Sequence, residues 1–151
     1  MNRLRRAMPA WLLAVLLLGA GTAAGQADPH ESTLAAAEWS AIREVISEQL
    51  VALKSGDGDR AFGHASPGIR AQFGDAGNFM RMVREGYPAL VAARYTEFLD
   101  GAVIGGIVIQ PLRLVAPDNT VLVALYTMQK LDEGRWKIAG CALAPSTVLS
   151  T

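Results

Sequence analysis

The sequence predicts an α+β domain in which N-terminal helices pack in the concave face of a curved, mainly antiparallel sheet of three or four strands. Three observations predict it. Apolar residues recur with a helical period from Leu34 to Tyr87 and give way to strand chemistry from Arg94 onward. The two kinds of segment do not alternate, which places helices on one face of an antiparallel sheet rather than between parallel strands. Val121–Lys130 and Arg135–Ile138, joined by the turn residues Asp132-Glu133-Gly134, form a β-hairpin whose apolar face needs a cover.

In chain order, the first segment is a targeting signal. Arg3, Arg5 and Arg6 make a basic region, Trp11–Leu18 an apolar one, and Gly19–Ala27 a small-residue tail that suits cleavage after Ala24 or Ala27. The apolar run from Ala7 to Gly21 falls short of the roughly 20 residues of a membrane-spanning helix. This predicts a Sec-type signal peptide over 1–27, a polar lead-in over 28–33 and one domain over 34–151, periplasmic or secreted, with no stable membrane span after processing. No cysteine follows the apolar run closely, so lipid attachment there is excluded. The single cysteine, Cys141, cannot form an intramolecular disulfide; a buried inert thiol and a dimer-linking one are both open.

The formal charge is zero over all 151 residues, but without the three leader arginines 11 basic residues face 14 acidic ones, a net −3. With no Lys/Arg cluster interleaved with aromatics, nucleic-acid binding is not expected.

A helix is predicted from Leu34 to about Ser55, with Trp39, Ile42, Ile46, Leu50 and Leu53 on one face. Gln49 falls inside that apolar arc, where its amide needs a partner or costs about 1–3 kcal/mol. It either bonds core backbone or faces a cavity. Gly56 offers a left-handed stop, and Asp57 caps a second helix through Phe62. Ser66-Pro67 starts a third that ends at Gly74. Asp75 caps a fourth with Phe79, Met80, Met82, Val83 and Tyr87 on its apolar face, and Pro88 ends or kinks it.

Strands follow over Tyr95–Leu99 and Val103–Val115, the latter interrupted by Gly105-Gly106 and Pro111. Because proline cannot donate to a ladder, this strand is expected at an edge or bulged at Pro111. Asp118-Asn119 turns the chain into the hairpin. A three-residue loop with Gly134 left-handed pairs Leu131 with Arg135, which sets Met128 opposite Ile138 and Tyr126 opposite Gly140.

Ala61-Phe62, Ala65-Ser66-Pro67-x-Ile69-Arg70-x-x-Phe73-Gly74, Tyr87-Pro88 and Trp136-Lys-Ile138-Ala-Gly140-Cys141 together resemble an uncharacterised family of exported bacterial proteins. More broadly, the long first helix, the short helices and the terminal strand resemble the cystatin-like roll of the nuclear transport factor two-like superfamily, a cone of helices set in a bent sheet. The resemblance covers roughly Ile42–Leu143. It implies a fold and a hollow, and no particular activity, since that superfamily includes isomerases, dehydratases, binders and dimerisation modules. Several relatives carry histidine on the last strand where this chain has Gly140 and Ala142, which weighs against transferred catalysis.

On this register the hollow is lined by Tyr126, Met128, Trp136, Ile138, Gly140 and Ala142, roofed by Gln49 and closed by Phe62, Phe73 or Tyr87. Such a lining, apolar with one or two polar tips, suits a small molecule. Acid–base candidates are few: Glu97 if it points inward, His64 beyond the second helix, and Tyr95 or Tyr126 as a donor. With His30, His64 and Cys141 the whole His/Cys complement, no zinc set can be assembled from those residues. Neither a nucleophile elbow nor a phosphate-binding loop is present, so no cofactor is expected. The opposite sheet face, with Leu125, Thr127, Ala139, Cys141 and Leu143, is too apolar for solvent and predicts a homodimer. The leading expectation is therefore non-enzymatic binding of a small apolar or amphipathic molecule. The alternatives are an isomerase- or dehydratase-type enzyme and a homodimeric interaction module with a filled core.

Overall fold

A computed structural model describes residues 33–146. The expected leader and its cleavage sites lie outside the described residues. Among the described residues five helices precede five strands: α1 (Ala36–Ser55), α2 (Gly58–Gly63), α3 (Pro67–Phe73), α4 (Ala76–Gly86), α5 (Pro88–Val91), then β1 (Tyr95–Phe98), β2 (Ala102–Ile104), β3 (Ile107–Val115), β4 (Val121–Lys130) and β5 (Trp136–Pro145). The chain is α+β, with the helices gathered against one face of a curved antiparallel sheet.

Local chemistry sets the helix boundaries. Gly56 takes a left-handed conformation (φ 72°) and closes α1. The Asp57, Ser66 and Asp75 side chains accept from the backbone N–H groups of Arg60, Ile69 and Asn78 and so start α2, α3 and α4. Each such cap contributes about 1 kcal/mol. Pro88 stands at the first position of α5 and so separates it from α4.

The sheet runs β1-β3-β4-β5, with β2 beside β1 on the same flank of β3. Gly105 and Gly106, both at positive φ, make a tight hairpin between β2 and β3, so the predicted single run is two strands and the sheet has five. Pro111 is neither at an edge nor bulged: β3 is internal, and its ladder with β4 is unbroken from Val108 to Val115. The Pro111 carbonyl accepts from the Leu99 N–H. The missing proline N–H therefore faces the gap between β1 and β2, where no ladder bond is required.

The core lies between α1 and the inner sheet face. Ile42, Ile46, Leu50 and Leu53 pack with Leu112, Leu114, Ala124, Tyr126 and Ile138. At the broken flank, Arg43 Nε donates to the Gln110 side chain, whose amide donates to the carbonyls of Leu99 and Pro111. Gln110 is fully buried, and this network satisfies its amide and ties α1 to the sheet. At the opposite flank, Ile138 on β5 exchanges backbone bonds with His64 and Ser66, which covers that edge.

The β4–β5 hairpin begins as expected. Leu131 and Arg135 are bonded, Gly134 is left-handed (φ 89°), and Met128 faces Ile138. A β-bulge then intervenes. Thr127 faces Gly140, so Ala139 is an extra residue and Tyr126 faces Cys141 instead of Gly140. A bulge steps every later residue of β5 to the other face. Cys141 and Leu143 consequently turn toward the core, and Ala142 turns out, the reverse of the expected assignment.

Candidate functional site

Between the C-terminal half of α1, helices α3 to α5 and the bulged part of β5 lies a cavity of about 210 Å³. Its inner wall is Leu53, Phe79, Leu90, Tyr126 and Ile138, all buried. Its outer wall is Ile69, Gln72 and Phe73 of α3, Met82 of α4, and Tyr87. Gln72, Phe73 and Met82 also border a shallower groove with Asn78, Arg81 and Glu85 on the other side of that wall.

Sequence features hold this hollow open. The left-handed Gly74 (φ 79°) and the Asp75 cap turn the chain sharply from α3 to α4 and bring Phe73 edge-on to Phe79 at 6.0 Å. The Tyr87 hydroxyl donates to the Cys141 carbonyl at 2.8 Å and pins the end of α4 to β5 just past the bulge. Gln49 is buried among apolar neighbours, and its Nε2 donates to the Ala61 carbonyl.

Among the described residues, no acidic or basic side chain borders the cavity. The polar tips are Gln49, Gln72, Tyr87, Tyr126 and the Cys141 thiol. Tyr126 is fully buried, and among the described residues its hydroxyl is the one buried side-chain oxygen or nitrogen without a hydrogen-bond partner. Burial holds its phenol well above the ordinary range, with a smaller contribution from Cys141. Burial also pushes the Cys141 thiol up to about 12, so both groups keep their protons at neutral pH.

Of the expected ligand-contacting residues, Gln49, Phe73, Tyr87, Tyr126 and Ile138 meet in this cavity, with the Gly140 backbone. Phe62, Met128 and Trp136 do not border it. Phe62 stacks behind Phe79 at 5.4 Å, and Met128 is buried in the core. Trp136 turns toward the start of α1, where its indole N–H donates to the Glu38 carboxylate, which also pairs with Lys130 at 2.7 Å. These interactions hold the Glu38 carboxyl below its ordinary value, Lys130 first and Trp136 second.

Of the acid–base candidates, Tyr126 borders the cavity and the others lie elsewhere. Glu97 is exposed on β1 and pairs with Arg113 of β3 at 2.9 Å. His64 Nε2 meets the Glu48 carboxylate at 3.2 Å beside an open cleft formed by α1 and the start of β5. Its pKa is lowered by burial, which the nearby carboxylate opposes. Tyr95 is exposed.

Several cavity residues escaped the sequence reading. Met82 and Val83 carried a signal, since both belong to the apolar face of α4, and Ile69 and Phe73 stand one turn apart on α3. Cys141 carried an indirect one, because the bulge turns it inward and Gly140, a glycine inside the strand run, is the kind of residue that marks a bulge.

No curated protein and no solved structure matches the chain. A family model matches residues 35–151, which contain every described helix and strand, and the chain belongs to that family, whose description is "Domain of unknown function (DUF4864)".

Proposed function

We propose that this domain is an exported, non-enzymatic binder of a small apolar or amphipathic molecule, held between helices and sheet in a variant of the nuclear transport factor two-like roll. The observation that carries this reading is the uncharged cavity of about 210 Å³. An apolar cavity of about 150 Å³ already takes benzene. The basic and apolar leader composition supports a periplasmic or secreted location. An isomerase- or dehydratase-type activity based on Glu97 or His64 draws no support from position, because neither borders the cavity. Native mass spectrometry of the protein purified from its own cellular compartment tests the reading. A copurifying small molecule, released on denaturation, is the expected result; ligand-free protein together with a filled core would favour the interaction module.

A second reading, homodimerisation through the outer sheet face, is favoured by the exposed Ile107 and Val121, which flank Leu125 on that face. Thr127 and the bulged Ala139 remain available to it, whereas Cys141 and Leu143 do not. Light scattering at micromolar concentration is expected to give twice the chain mass, and a strict monomer removes the dimer.

A further inference from the structure

We propose that the cavity selects an uncharged molecule carrying one acceptor oxygen, a carbonyl, at its buried end, and that the Tyr126 hydroxyl donates to that oxygen. The inference rests on the binding reading above and adds the ligand's chemistry to it.

Three observations converge. First, the Tyr126 hydroxyl is buried without a partner, in a position where phenylalanine would supply the same ring at no polar cost. Two of the other donors at the cavity are engaged within the chain: Gln49 Nε2 with the Ala61 carbonyl, and the Tyr87 hydroxyl with the Cys141 carbonyl. Second, among the described residues no charged side chain borders the cavity, so an ionised ligand would lose its hydration with nothing there to offset the loss. Third, the cavity is small. Scaling from benzene in about 150 Å³, it accommodates ~8–10 non-hydrogen atoms. Tyr126 and Cys141 are both held protonated by burial, so the hydroxyl remains a donor and the neighbouring thiol does not become a nucleophile.

The test compares acetophenone with cumene, which has nearly the same shape but a methyl-bearing carbon in place of the carbonyl, and with benzoate. Binding is read from amide chemical-shift titrations of the purified protein and of Tyr126→Phe, the latter first shown folded by its own spectrum. The protein is expected to bind acetophenone about five- to tenfold tighter than cumene, in keeping with one neutral hydrogen bond. Tyr126→Phe is expected to lose that preference and to bind cumene the tighter, because the carbonyl is then buried without a donor, and benzoate at pH 7 is expected to shift no cavity resonance. Equal binding of acetophenone and cumene to the unsubstituted protein would overturn the carbonyl assignment and leave the cavity as a binding site. Failure of both to bind would overturn the assignment together with the binding reading.

Discussion

Tyr126 faces Cys141 across the β4–β5 ladder, and both border the same cavity because the extra residue Ala139 has stepped the register between them and the hairpin turn. A hairpin without that step would set Gly140 opposite Tyr126 and send the thiol to the outer face. One backbone irregularity thus places a buried phenol and a buried thiol side by side on the inner sheet face.

The thiol should be slow to react. A pKa of about 12 leaves roughly one molecule in 10⁴ as thiolate at pH 8, against about a tenth for a thiol at its ordinary 9.0. Alkylation of Cys141 by iodoacetamide at pH 8 should therefore run about 10³-fold slower than in urea-unfolded protein. Its rate should rise about tenfold per pH unit up to the pH at which the fold is lost. Labelling at the rate of the unfolded chain would place Cys141 on the surface and remove the bulge.

Removing the unpartnered hydroxyl should stabilise the ligand-free protein. Tyr126→Phe keeps the ring and deletes a buried group that makes no hydrogen bond. Urea unfolding should show a gain of about 1–2 kcal/mol. A loss of that size would mean that the hydroxyl has a partner inside the protein.

Trp39 and Gly101 form a contact that tolerates no side chain. A Cβ at Gly101 would overlap Trp39 Cζ3, with two further ring carbons within 2.7 Å. Gly101→Ala should cost about 1–3 kcal/mol, as overpacking does. In a Trp39→Leu background the same substitution should cost much less, a coupling that a double-mutant cycle in urea measures.

The start of α1 should respond to acid through Glu38. Lys130 and Trp136 lower its folded pKa below the ordinary 4.5. A carboxylate with a depressed folded value stabilises the fold above its unfolded pKa and loses that contribution as pH falls through the folded one. The stability difference between the protein and Glu38→Gln should therefore be constant above about pH 5 and shrink as pH drops below 4.5. A difference that widens in acid would contradict the contact.

Local signals made most elements legible. Gly56, Asp57, Ser66-Pro67, Gly74, Asp75 and Gly134 each specify a boundary through backbone chemistry that operates within a few residues, and each stands where that chemistry requires. Gln49 was legible as an exception to the apolar arc, and its amide has both a backbone partner and a place beside the cavity. What escaped depends on contacts between distant residues. Pro111 is accommodated by a gap in the strand beside it, and Gln110 is satisfied by Arg43, far away in the chain. The bulge at Ala139 is marked only by the neighbouring Gly140, which does not say where the register steps, yet the step decides which residues of β5 face the cavity. The pattern of the last strand places Trp136 in the lining of the hollow, whereas its indole bonds Glu38 near the start of α1 and does not border the cavity.

The central claim is that the space between helices and sheet is an accessible apolar site. The most direct measurement is a crystal structure of the protein pressurised with xenon, which enters dry apolar cavities large enough to hold it. The account predicts xenon density bordered by Leu53, Phe79, Tyr126 and Ile138. A closed core with those side chains in mutual contact and no xenon between them would contradict it.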